Sequence, residues 1–293
     1  MAMIYYVDVA IPADRKKRGK HKTHVVFDGS RVFRVKKLTE LEDASEIYID
    51  AMFQQIYGEL IELIERNVKI FSLKNLRLLK RLREENGVEK SDEVDARLLS
   101  IIPKNHFKQL TLKKLSILKL IGEYERYVEW KKTIQQWIQI CPLDFFKESV
   151  KRLQRLIQQY ARKIIREVKN DENYATTYRL ACDMLGVRNS VEVAILVARL
   201  PLNWKLSRLY GLLGLTPHKN KNYHHKLRAH LSSVATAIYL NSKRYKQCKA
   251  SAELIKDIEG LSPNTAIYML QLRILKVLKK AWQQSQCMLV GGQ

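Results

Sequence analysis

Cysteine is scarce. The four in 293 residues, Cys141, Cys182, Cys248 and Cys287, lie far apart and form no C-x-x-C pair. That spacing argues against a thiolate zinc site and against a disulfide framework, and the expectation is ordinary buried thiols. Long apolar runs are also missing: no stretch of about 18 uncharged apolar residues occurs, so no segment is expected to span a bilayer. The first ten residues carry no cationic stretch followed by an apolar one, so no secretory leader is expected. The inferred location is intracellular, cytoplasmic or nucleoid-associated. Acidic residues are the third shortage, with 30 Asp and Glu against 53 Lys and Arg and a formal net charge of +23. A chain this cationic implies a polyanionic partner, nucleic acid ahead of an anionic membrane surface.

What is present supports a folded protein, because 46% hydrophobic content over this length supplies a real core. The first hundred residues have the pattern of mixed α/β structure. "IYYVDVA" is a strand, "HVVFDGSRVFRV" two strands joined at Asp28-Gly29-Ser30, "EIYID" a fourth and "VKIFSL" a fifth. Phe53, Ile56, Leu60, Leu63 and Ile64 recur at helical spacing between the fourth and fifth strands, and "NLRLLKRLREENG" predicts a second helix closed by Gly87.

Past Pro103 the strand signals stop. The pattern predicts one long helix over 104–140, a break at Cys141-Pro142, and a return arm from Leu143 to about Val168. In that arm Phe146, Val150, Leu153, Ile157, Tyr160 and Ile164 alternate four and three apart, the rhythm of a coiled-coil seam that can also pair with a second copy of the chain. "KNDENYATT" is the expected linker into a helical last segment. There "LGVRNSVEVAILVARL" and "IEGLSPNTAIYMLQLRIL" each place a Gly-containing turn before a polar residue able to cap a new helix. Such turns can hold a nucleic-acid phosphate or can be plain helical corners. The expected divisions are 1–103, 104–170 and 171–293, and the class is α/β plus all-α.

Four acids stand out. Asp92 and Asp95 in "EKSDEVDARLLS" fall on one face of a helix, with Lys90 before them and Arg97 after. Asp92 as the N-cap with Asp95 in the first turn is one reading, and a bound cation is the other. Asp8 lies inside the first strand and Asp50 ends the fourth, both poor places for a charge unless something binds it. Four carboxylates of this kind suit two hard divalent cations, Mg2+ or Mn2+ rather than zinc, acting on a phosphodiester.

An acid in the first strand, an acid ending the fourth, and Lys90-Ser91-Asp92-Glu93-Val94-Asp95-Ala96 opening a helix resemble the DEDD-type transposases of the insertion-sequence one-ten family, relatives of the Piv recombinase. In the last segment "LYGLLGLTP" and "HKLRAHLSSVATAI" are similar to that family's Gly-Leu-x-Pro turn and the helix after it. The resemblance implies a ribonuclease-H-like domain related in fold to the resolvase RuvC, a coiled-coil helical hairpin and a helical transposase domain. It further implies DNA as substrate and Asp8, Asp50, Asp92 and Asp95 as metal-binding catalytic residues; a guide or structured RNA stays open as a second partner, and the coiled-coil segment is expected to make a homo-oligomer. Candidate nucleic-acid contacts are Arg15, Lys16, Lys17 and Arg18 in the loop after the first strand, Lys90, Arg97, Arg188, Lys219, Lys221, Lys226 and Arg228.

Three departures from the family pattern are visible. Asp50 stands where the family usually has Glu, the basic loop "IPADRKKRGKHKTH" is long, and the family's nucleophilic serine is missing, since no serine occurs from Pro217 until Ser232. Thr216, Tyr223, Ser232 and Ser233 are the nearby hydroxyls, with Ser232 and Tyr223 the candidate nucleophiles. The histidines His218, His224, His225 and His230 fit no common zinc spacing and are expected to be polar or phosphate-contacting. The competing expectation is a non-catalytic relative that binds structured nucleic acid.

Overall fold

The computed structural model describes residues 3–10, 23–216, 223–244, 252–258 and 260–290. The chain divides into two compact units, Met1–Gly122 and Glu123–Gln293.

The first unit carries β1 (Met3–Asp8), β2 (His24–Phe27), β3 (Val32–Val35), β4 (Ala44–Ile49), α1 (Tyr57–Glu65), β5 (Lys69–Leu73), α2 (Arg77–Glu85), α3 (Asp92–Ile101) and β6 (Phe107–Gln109). These strands form one mixed sheet in the order β3-β2-β1-β4-β5-β6, in which β1, β4 and β5 run parallel and the other pairings are antiparallel. The β2–β3 turn is fixed by Asp28, whose Oδ1 accepts from the amides of Ser30 at 2.9 Å and Arg31 at 2.8 Å.

Strand alternation assigns two faces. Tyr5, Val7, Ile47, Ile49 and Ile70 pack with Ile56, Leu60 and Leu63 of the α1 side. Tyr6, Tyr48, Phe71, Leu73 and Phe107 pack with Leu79 of α2 and Leu98 and Leu99 of α3. On this second face Tyr48 stacks between Tyr6 at 5.3 Å and Phe71 at 4.8 Å, with Phe107 edge-on at 5.0 Å. Each such buried side chain contributes roughly 1.5–3 kcal/mol, and the ring contacts add to that, so the second face is a firm platform for α3.

β6 corrects the expected helix over 104–140. Lys104–His106 is a short 3-10 turn, Phe107 pairs with Leu73 of β5, and the helix starts only at Leu112, where Thr111 Oγ1 accepts from the amide of Lys114 at 3.3 Å. Three residues show no readable alternation, and the pull comes from burying Phe107 against Tyr48, a tertiary contact.

The second unit is helical: the part of α4 (Leu112–Ile140) from Glu123 on, then α5 (Asp144–Asn170), α6 (Ala175–Leu185), α7 (Val191–Arg199), α8 (Leu206–Leu212), α9 (His225–Arg244), α10 (Ala252–Ile255) and α11 (Pro263–Val290). α4 and α5 form an antiparallel hairpin. Tyr127 meets Tyr160 at 5.2 Å, Lys131 bonds Gln154, and Trp137 meets Phe146 at 5.8 Å, so the partner's number falls as the first rises. The expected capped turns are present. Gly186 ends α6 with φ +64° and Ser190 Oγ caps α7, while Ser262 Oγ accepts from Thr265 at the start of α11. Gly214 also has positive φ, and a side chain there would stand 2.7 Å from the Tyr223 ring.

The expectation of buried thiols holds for Cys182 but not for Cys141 or Cys287, which are exposed, and Cys248 lies outside the described residues. Cys141 sits in the break beside Pro142, where the hairpin has no core to offer. No described helix is long and apolar enough to cross a membrane.

A buried charge network joins three helices of this unit. His230 of α9 bonds Glu192 of α7 and lies 3.1 Å from Glu125 of α4, Arg199 bonds the same Glu125 oxygen, and Lys226 reaches Glu125 at 3.4 Å. Burial disfavours the imidazolium, but hydrogen bonds and charge from Glu125 and Glu192 override it and hold the His230 pKa up at about 9. Both ring nitrogens then donate. Because the folded pKa exceeds the unfolded value of about 6.5, this stabilisation is complete below that pH and is lost as pH rises toward 9. Urea unfolding across this range is expected to show falling stability, and His230→Gln should cost about 3–5 kcal/mol at pH 6 and remove that part of the slope. An identical slope in the variant would contradict the protonated bridge.

A candidate carboxylate site on the sheet

β1 and β4 are the central parallel pair, with Val7 opposite Ile49, and the Asp50 amide extends the ladder by donating to the Val7 carbonyl at 3.3 Å. Asp8 and Asp50 therefore sit side by side at the carboxyl ends of neighbouring parallel strands, a usual place for a site on an open α/β sheet. They share the parity of Tyr6 and Tyr48, which puts them on the face that α3 covers. α3 crosses β1 and β2 on that face.

The helix brings the other two acids. Ser91, not Asp92, is the N-cap of α3: its Oγ accepts from the Val94 amide at 3.1 Å. Asp92 is the first helical residue and is exposed, and Asp95 is buried a turn inside. The capping explanation thus loses Asp92, although both acids keep a favourable place in the positive field of the helix N-terminus. Asp95 is paired instead with Arg83 of α2, both side chains largely buried.

The electrostatics of Asp8 register the other three acids. Burial, then the charge of Asp50, the charge of Asp92, a hydrogen bond with Asp50 and the charge of Asp95 push the Asp8 carboxyl far above the usual carboxylate range. Burial raises Asp50 as well, opposed by hydrogen bonds from the amides of Val9, at 2.9 Å, and Ala51 and from Asp8. Asp8 holds the proton and donates it to the Asp50 carboxylate, since two bare charges this close are mutually unfavourable.

The donor set is oxygen only, which suits a hard divalent cation. As the side chains stand, no three His, Cys, Asp or Glu groups among the described residues form a ready cage. The reason is visible in the partners: Asp95 faces Arg83, and Asp50 faces Val9 and Asp8.

Of the expected nucleic-acid contacts, Lys90 and Arg97 are exposed beside these acids, Arg97 lying over the Phe27 ring at 5.9 Å. Arg188 is exposed at the α6–α7 turn. Lys226 pairs with Glu125 and Glu129, and Arg228 donates to the carbonyls of Leu213 at 2.9 Å and Gly214 at 3.0 Å, so both hold the helical unit together. Arg15, Lys16, Lys17, Arg18, Lys219, Lys221 and His218 lie outside the described residues. Ser232 accepts from Gln271 Nε2 at 2.7 Å, and the Tyr223 ring lies 4.0 Å from that of His225. His224 Nδ1 accepts from the Leu227 amide at 3.2 Å, so of the expected phosphate-contacting histidines His224 and His230 are internal.

Sequence reasoning missed Arg83 and Glu125. Arg83 follows Leu79 by one turn on the inward face of α2, and Glu125 follows Ile121 by one turn on the buried stripe of α4. A charge at the register of an apolar stripe was the available signal in both.

No protein-family model matches the chain, and no curated protein matches it. Function therefore rests on the site itself.

Without metal the raised Asp8 carboxyl makes the folded state hold its proton longer than the unfolded state does, so folding weakens as pH rises above about 4. Asp8→Asn removes this load. With the partial exposure of the group discounted, the variant is expected to be more stable than wild type by about 1 kcal/mol at pH 8 in chelator and equal to it near pH 4. Thermal melts at the two pH values check this, and a less stable variant at pH 8 would contradict it.

Proposed function

We propose that the chain is a transposase- or recombinase-like protein of the DEDD type that cuts phosphodiester bonds in DNA, with its first unit a ribonuclease-H-like domain. The observation that carries the reading is the convergence of four carboxylates from β1, β4 and α3 on one sheet face, where Asp8 feels the charge of the other three. The strand order, with an antiparallel β1-β2-β3 meander on one side and parallel β4 and β5 on the other, is in keeping with it.

Asp8, Asp50, Asp92 and Asp95 would hold Mg2+ or Mn2+, and Arg83 positions Asp95. When bound, a pair of such ions stabilises the attacking and the leaving oxygens of a phosphodiester displacement. Asp8 gives up the proton it shares with Asp50 when cations enter. Lys90 and Arg97, exposed next to the acids, offset their repulsion of the DNA backbone. An exposed apolar set on the hairpin, Trp130, Trp137, Ile140, Leu143 and Phe145, supports pairing with a second copy.

Strand transfer through a protein hydroxyl is a separate matter. Ser232 is half-buried and tied to Gln271, so it is not presented as a free nucleophile, and the Tyr223 ring packs close to Gly214 and His225. This favours nicking by water, or nucleic-acid binding alone, over a covalent intermediate.

Supercoiled or branched DNA incubated with Mn2+ tests the reading. Slow nicking is expected, abolished by Asp8→Asn, with no protein–DNA adduct surviving denaturation. No nicking under any divalent cation would leave the binding-only protein. An adduct lost in Ser232→Ala would instead establish covalent recombination.

A further inference from the structure

The second unit holds a cationic feature that the carboxylate site does not use. The outer face of α5 presents Arg155, Arg162, Arg166 and Lys169, all exposed and spaced seven, four and three residues apart. At 3.6 residues per turn these fall on one narrow stripe about 21 Å long, the axial length of about six nucleotides of one strand. Lys169 ends the stripe and opens a cleft of about 480 Å³ at the α6–α7 turn, whose walls include Arg179, Arg188, Asp183 and Asn189.

The charge there is unbalanced. Among the described residues Arg155, Arg162, Arg179 and Arg188 have no hydrogen-bonded or ion-paired partner, in contrast to Lys226 and Arg228. The opposing acids are Glu167, 3.4 Å from Arg166, and Asp183 on the cleft wall. The turn itself is firmly built. Gly186 closes α6, the Val187 amide donates to the Cys182 carbonyl at 3.0 Å, Tyr178 Oη donates to the Ser190 carbonyl at 3.3 Å, and Lys169 Nζ donates to Asn189 Oδ1 at 2.8 Å. A solvated surface needs no such alignment of unpaired guanidinium groups with a polar cleft. Planar guanidinium forks match phosphate oxygens, and a backbone laid along them releases its counterions.

We infer that this stripe and cleft form a nucleic-acid backbone site, in which Arg155, Arg162 and Arg166 each take a phosphate along one strand and Arg179, Arg188 and Lys169 hold one more in the cleft. The inference rests on the reading of the chain as a nucleic-acid enzyme, but it concerns binding in the helical unit and needs no metal. The contacts are to phosphate, so the site positions a strand without reading its bases.

Fluorescence anisotropy with the full chain in chelator, over a series of salt concentrations, tests it with labelled DNA and RNA duplexes. Arg179→Gln/Arg188→Gln is expected to weaken binding about tenfold and to lower the log–log salt slope by about two units, and the Arg155/Arg162/Arg166→Gln triple variant by about three units. The matching Lys variants keep most of both, which separates lost charge from lost folding. The binding is measured without metal, so failure of the carboxylate reading leaves this result standing. A loss seen with only one of the two duplexes assigns the site to that nucleic acid. Wild-type affinity and slope in both Gln variants, or no binding by the wild type, would overturn the inference.

Discussion

Two carboxylates at the ends of adjacent parallel strands set the terms for the first unit. Asp8 and Asp50 face the same side because strands alternate and because β1 and β4 run in register, and their closeness makes full ionisation of both unfavourable. The protein lowers that cost by sharing a proton between them and by aiming the Val9 amide at Asp50. α3 adds two more acids to the same side, and Arg83 answers one of them. Such a concentration of like charge costs stability, which is the usual mark of a site kept for chemistry.

What keeps the acids together is the apolar layer beneath α2 and α3. Tyr48 is almost fully buried among Tyr6, Phe71 and Phe107, and Leu98 and Leu99 seat α3 on that layer, so the helix carrying Asp92 and Asp95 cannot rise off the sheet without exposing it. In the helical unit charge plays the opposite part. Glu125, Glu192, Arg199, Lys226 and His230 satisfy one another between helices, while Arg155, Arg162, Arg179 and Arg188 have no partner among the described residues and face outward. The cations named in this unit therefore fall into two sets, those that build it and those left unpaired on its surface.

Much of this could be read in the amino-acid order. Alternation in "IYYVDVA" and "EIYID" located β1 and β4 and placed Asp50 at the end of its strand, whereas Asp8, expected inside the first strand, is the last residue of β1; Gly186 and Ser190 marked the α6–α7 turn. The helix cap was misassigned by one residue because Ser91 and Asp92 are both good caps, and only the observed bond from the Val94 amide decides between them. β6 was hidden because three residues carry no period, and its existence depends on Phe107 finding Tyr48. Lys226 and Arg228 looked free because their partners, Glu125 and the Leu213 and Gly214 carbonyls, are supplied by the folded helices. The ribonuclease-H-like assignment and the DNA chemistry remain proposals that the four-acid geometry supports.

The central claim is that the Asp8–Asp50 pair exchanges its shared proton for a divalent cation. Titration calorimetry with Mn2+ near pH 7, repeated in buffers of different ionisation enthalpy, measures this directly. The account predicts binding accompanied by release of about one proton per chain, with both lost in Asp8→Asn. Binding without proton release, or equal binding by the variant, would contradict it.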